Sequence, residues 1–125
     1  MFDSSVWIAY LNESDTCHKK ALDILLKLGH LEIVIYDHIY SEVLNVLRNK
    51  TTEKICRTFI KFLEDYKLEI TISDEHILSL ANTCFFKYPK LSFSDCMIMA
   101  ASILSDSQLT TFDKPLQKAW EELKN

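Results

Sequence analysis

Leu109-Thr110-Thr111-Phe112-Asp113 is the stretch on which the reading of this chain turns. It reads as a strand that runs into an acid, and Pro115 just beyond marks the start of a helix. The same strand-then-acid pattern opens the sequence at Met1-Phe2-Asp3. In an open α/β sheet, ligands bind outside the carboxyl ends of the strands, so acids sent there from distant parts of the chain converge. Glu42 and Asp95 join Asp3 and Asp113 as candidates. Two carboxylates about 4 Å apart repel by about 4 kcal/mol at an effective dielectric constant of about 20, so four of them together require a cation. These residues set up the expectation of a divalent-metal site and metal-assisted phosphoester chemistry.

Working outward, Ser4 to Leu11 reads as a helix, and a second runs roughly from Asp15 to Leu28 with Gly29 as its C-cap. Leu31 to Tyr36 is an almost wholly apolar strand, as expected where both faces are covered. Asp37 is placed to cap a helix carrying Ile39, Val43, Val46 and Leu47 on one side, and Thr51 or Thr52 to open the next. Leu68, Ile70 and Ile72 alternate in a third strand, after which Ser73 caps a helix that the Tyr88-Pro89 step stops. Ser92 or Ser94 opens a helix to about Ser105, the strand Gln108 to Phe112 follows, and a last helix buries Leu116, Ala119, Trp120 and Leu123. Strands alternating with helices, singly or in pairs, imply right-handed crossovers. The expected fold is α/β, a single three-layer α/β/α domain over residues 1–125 with a central parallel sheet of four or five strands.

Composition narrows the function. At 125 residues, 48% hydrophobic and 26% charged, the chain has the make-up of an ordinary globular domain able to bury a core. Its single glycine excludes the dinucleotide fingerprint, the Walker loop and the GxSxG elbow, each of which needs at least two. Cys17, Cys56, Cys84 and Cys96 form no zinc-ligand spacing, and the histidines form no HExxH pair. Catalysis must therefore rest on carboxylates and hydroxyls. No apolar run approaches the roughly 20 residues that span a bilayer, and an N-terminus with Asp3 and Glu13 but no basic region argues against a signal peptide; a cytoplasmic protein is expected. The net charge of −4 matches the charge of the four acids, so it does not weigh against a polyanionic substrate. Arg48, Lys50, Lys54, Arg57 and Lys61 form either a basic track for such a substrate or a solvated helix face.

Each acid also has a local explanation. Asp3 and Asp113 occupy helix-capping positions, and Asp95 favours the dipole of the helix it heads. Glu42 lies on the rim of an apolar stripe, away from the solvent side. The helix after Asp95 is nearly all apolar, so its N-terminus is expected to open on the crevice. Capping accounts for one such residue better than for several at one sheet edge.

Asp3-Ser4-Ser5-Val6-Trp7-Ile8, Glu42, Ser92-Phe93-Ser94-Asp95 and Thr110-Thr111-Phe112-Asp113 together resemble the motifs of PIN domains, in order and over nearly the whole chain. Each motif is short and degenerate; the set is fairly specific. The resemblance implies a ribonuclease dependent on Mg²⁺ or Mn²⁺, of the kind found as VapC-like toxins in toxin–antitoxin pairs, commonly homodimeric and silenced by a small antitoxin protein. Carried over residue by residue, Asp3, Glu42, Asp95 and Asp113 match the family's acidic quartet, while Ser5 and Thr111 match supporting hydroxyl positions. The first strand departs from the pattern, with only Met1-Phe2 before Asp3. Two rivals stand beside this reading. One is a catalytically weak fold of this type that binds RNA or a protein. The other is a receiver-like phospho-acceptor domain, suggested by Lys114-Pro115 but lacking paired acids after the first strand. Val6, Trp7, Tyr10 and Leu11 suit the core, a dimer interface or an antitoxin groove, and their helical spacing favours the core.

Overall fold

Phe2 pairs in parallel with Thr110, and this one bridge joins the two ends of the chain. The computed structural model describes residues 1–28 and 33–125. The elements run α1 (Ser4–Leu11), α2 (His18–Leu28), β1 (Ile35–Tyr36), α3 (Asp37–Lys50), α4 (Glu53–Asp65), β2 (Ile70–Thr71), α5 (Glu75–Lys87), α6 (Phe93–Leu104) and α7 (Lys114–Lys124). β1 and β2 pair in parallel, Ile35 beside Ile70 and Tyr36 beside Thr71. The four expected strands thus appear, among the described residues, as two short parallel pairs. The Gly29 cap and the Leu31 end of the second strand fall outside those residues.

α1 spans the expected residues because its signals are local: Asp3 caps it and Asn12 closes it with an amide bond to the Ile8 carbonyl. Elsewhere caps shift by a residue. Asp37 is the first residue of α3 instead of its cap, since its carboxylate turns to the Ser73 hydroxyl at 2.8 Å. With Ser73 so engaged, the neighbouring Asp74 caps α5. α2 starts at His18 because Asp15 accepts the Cys17 amide at 2.8 Å in a preceding turn. The third strand is not the half-buried one its alternation suggests: Ile70 is 39% and Ile72 70% exposed. With one glycine in the chain, Lys67 and Asp106 take positive φ (54° and 52°) to close α4 and α6. Both closures follow the Schellman pattern, Leu68 to the Leu63 carbonyl at 2.9 Å and Ser107 to the Ser102 carbonyl at 2.9 Å.

One apolar core draws on residues from Phe2 to Trp120. Val6, Trp7 and Leu11 lie in it, and Tyr10 packs on Phe62 at the margin. Trp7 sits edge-on to Phe2, Phe59 and Phe62 at centroid distances of 5.8, 5.5 and 5.8 Å. Cys84 is a buried free thiol. Among the described residues, no helix is long and apolar enough to cross a membrane.

Ser102 is a fully buried polar residue of α6. It accepts from the Trp120 indole at 2.9 Å and donates to the Ser107 carbonyl at 2.6 Å, tying α7 to the end of α6. Ser102→Ala orphans both partners, and urea unfolding should show a loss of about 1–3 kcal/mol. A cost near zero would mean that water replaces the hydroxyl.

Candidate metal centre

The bridge at Phe2 and Thr110 sets the residues that follow each of them side by side. Asp3 leaves its strand in extended conformation and caps α1, its side chain turned inward and only 3% exposed. One carboxylate oxygen accepts the Ser5 amide at 3.1 Å and the Ser5 hydroxyl at 2.6 Å. The other accepts the Thr111 hydroxyl at 2.6 Å. Each hydroxyl in turn accepts a backbone amide, Ser5 from Phe112 of the other chain end at 3.0 Å and Thr111 from Asp113, two residues on, at 3.0 Å. Both hydroxyl protons are directed at Asp3, so the 3.4 Å approach of Ser5 to Thr111 is a contact between oxygens.

Asp113 caps α7 through one oxygen, which accepts the Leu116 amide at 3.2 Å. Asp95 closes a capping box with Ser92, each side chain bonding the other's amide at 3.1 Å. Glu42 projects from α3, where it is half-buried as its rim position predicts, and accepts the Ser94 hydroxyl at 2.6 Å. Ser92 and Ser94 therefore support the acids in ways the sequence reading did not assign. The Ser92-x-x-Asp95 spacing carries a readable capping signal. The Ser94–Glu42 bond crosses 52 residues and has none.

Electrostatics links the four acids. Burial raises the Asp3 carboxyl to about 6 against the pull of the two hydroxyls, and the charge of Asp95 pushes the same way. Burial also raises Asp95, and the charges of Asp113 and Glu42 add to it while Ser92 opposes. The four thus feel one another, and among the described residues no lysine or arginine pairs with any of them. A donor set made only of oxygens with uncompensated charge suits a hard divalent cation. Its spacing is open: no trio of His, Cys, Asp or Glu side chains among the described residues is gathered as a ready cage. Serine hydroxyls and helix amides hold each carboxylate in place.

His38, one turn before Glu42, was not singled out from the sequence. Its Nδ1 lies 3.2 Å from the Ser73 hydroxyl, and its Nε2 is buried with no hydrogen-bond partner among the described residues. Burial lowers its pKa although Asp37 and Glu42 pull it upward. The basic run divides. On α4, Arg57 pairs with Glu53 at 3.4 Å and Lys61 with Asp65 at 3.7 Å, all solvent-exposed, which is the behaviour of a solvated helix face.

An α/β chain that brings acids from both its ends and two inner helices toward one corner defines a class of acid-site α/β domains. The model of the PIN domain family matches residues 1–121, and the chain belongs to that family. Among solved structures, it is similar to VapC20 of Mycobacterium tuberculosis, described as a sarcin–ricin loop cleaving toxin. The TM-score is 0.81 at 17% sequence identity, over 94% of this chain and 92% of that one. No curated protein matches the sequence.

Proposed function

We propose that this protein is a metal-dependent endoribonuclease that hydrolyses RNA phosphodiester bonds, the toxin of a toxin–antitoxin pair. The observation that carries the reading is the buried Asp3 carboxylate. It is fixed by two hydroxyls, lacks a cationic partner among the described residues and is in electrostatic reach of Asp95. Membership of the PIN family supports it, as does the likeness to a toxin described as cleaving the sarcin–ricin loop. In this reading Asp3, Glu42, Asp95 and Asp113 hold Mg²⁺ or Mn²⁺. A bound ion of this kind supplies a water of lowered pKa and neutralises charge that builds on the phosphoryl oxygens. Ser5 and Thr111 orient Asp3, Ser92 orients Asp95, and Ser94 fixes Glu42. The protein acts in the cytoplasm as one domain whose short parallel pairs belong to a single central sheet of four or five strands between helical layers. A homodimer and a small antitoxin complete the assembly, supported by apolar side chains left exposed on α5, with Phe86 at 84%.

The test is cleavage of a labelled mixed RNA pool by purified protein with Mn²⁺ or Mg²⁺, beside EDTA and Asp95→Asn controls. Cutting should vanish in EDTA and fall at least about 100-fold in the variant. Wild-type rates in the variant would remove Asp95 from the site. A folded protein that binds neither ion would end the metal reading.

A further inference from the structure

A cleft of about 430 Å³ opens beside the acidic corner, and four lysines line it: Lys87 and Lys90 where α5 gives way to the next loop, Lys114 and Lys118 on the first turns of α7. All four are exposed. Among the described residues none has a carboxylate at ion-pair distance, and Glu122 is the one acid on the cleft wall. Lys87 lies 5.4 Å from the centre of the Tyr88 ring. Tyr88 also lines the cleft, and its buried hydroxyl has no hydrogen-bond partner among the described residues. Pro115 and Leu91 give the floor an apolar character that suits the lysine stems.

None of the four acids lines this cleft, yet the chain ties it to them. Lys114 directly follows Asp113, and Leu91 directly precedes Ser92, whose capping box holds Asp95. A polyanion reaching four carboxylates needs positive charge along its approach, because the acids repel it at every step short of the metal. The α4 bases Arg57 and Lys61 are occupied by Glu53 and Asp65. The cleft lysines are not.

We infer that this cleft binds the sugar–phosphate backbone of single-stranded RNA flanking the bond to be cut, with Lys87, Lys90, Lys114 and Lys118 replacing the strand's counterions. The inference rests on the ribonuclease reading and assigns its substrate track. Lysines contact phosphates without reading bases, so the cleft contributes affinity and register, and sequence choice resides elsewhere.

The experiment measures binding apart from cutting. Asp95→Asn protein is titrated with a short labelled single-stranded RNA between about 50 and about 200 mM salt. Lys90→Gln/Lys118→Gln and Lys54→Gln/Arg57→Gln are each added to that background. The cleft pair should weaken binding about tenfold at low salt. It should also flatten the slope of log K against log salt by about 1.4, the release expected for two lost phosphate contacts on a single strand. The α4 pair should leave both nearly unchanged. RNA binding that is intact in the cleft pair, or lost only in the α4 pair, overturns the assignment and returns the cleft to a protein partner. Absence of RNA binding in the Asp95→Asn parent overturns the assignment, and with it the ribonuclease reading beneath it if wild-type protein does not cut either. Cutting by wild-type protein under the same conditions separates those two failures.

Discussion

Asp3→Asn should destroy RNA cutting and, in metal-free protein at neutral pH, make the fold more stable. Both effects come from one buried charge. The folded protein holds the Asp3 carboxyl near 6, against an ordinary 3.8, because burial disfavours its ionised form. A group whose folded pKa lies above its unfolded value contributes stability fully below the unfolded pKa and loses that contribution as pH rises through the folded one. Wild-type protein in EDTA should therefore lose about 2.5 kcal/mol of this contribution between about pH 4 and about pH 7.5. The amide of Asn fits the same hydroxyls. Its oxygen takes the Ser5 amide and hydroxyl, and its NH₂ faces Thr111, whose hydroxyl rotates to accept. The variant should lack that loss, so the difference between the two curves isolates Asp3 from Asp37, His38 and Asp95, and it should be more stable than wild type above about pH 7. Added Mn²⁺ should then raise the melting temperature of wild type and leave the variant unmoved. Unfolding curves at the two pH values, with and without metal, read all of this. Parallel wild-type and variant curves across the window would show that Asp3 is ionised at no cost.

Trp7→Ala should cost about 3–5 kcal/mol, a large share of the roughly 5–15 kcal/mol that holds a typical domain together. Trp7 is fully buried, and it is the ring on which Phe2, Phe59 and Phe62 all pack edge-on. Its loss leaves a cavity that three aromatic neighbours cannot all fill. Trp7→Phe separates packing from polarity. The indole nitrogen is buried with no hydrogen-bond partner among the described residues, so its removal relieves a desolvated donor and offsets part of the lost volume. That variant should stay within about 1.5 kcal/mol of wild type. Urea unfolding distinguishes the pair; equal losses would mean that the indole N–H finds a water in solution.

What the sequence made legible is what depends on neighbours along the chain. Ser4–Leu11 is a helix to the residue because Asp3 and Asn12 sit within one turn of its ends. Thr52 and Ser92 cap their helices for the same reason. The acids at strand ends were found by the logic of where strands stop. What was missed depends on partners far along the chain. Asp37 bonds Ser73 and so passes the cap of α5 to Asp74, a change that no local propensity records. The alternation of Leu68, Ile70 and Ile72 gives a strand but not which neighbour covers it, and Ile72 stays in solvent. Basic residues were read where they are dense, on α3 and α4. The unpaired ones gather from two separate segments, Lys87 and Lys90 with Lys114 and Lys118. The receiver-like alternative loses its footing at the third strand, where Asp74 serves as a helix cap.

The corner around Asp3 is closed by hydrogen bonds between residues 107 and 108 positions apart along the chain. Until Thr111 and Phe112 have been synthesised and have left the ribosome, Asp3 lacks its second hydroxyl and Ser5 lacks the amide that donates to it. A stretch of chain that stops short of Thr111 can form α1 and its cap, yet it leaves the second oxygen of Asp3 without the hydroxyl that orients it.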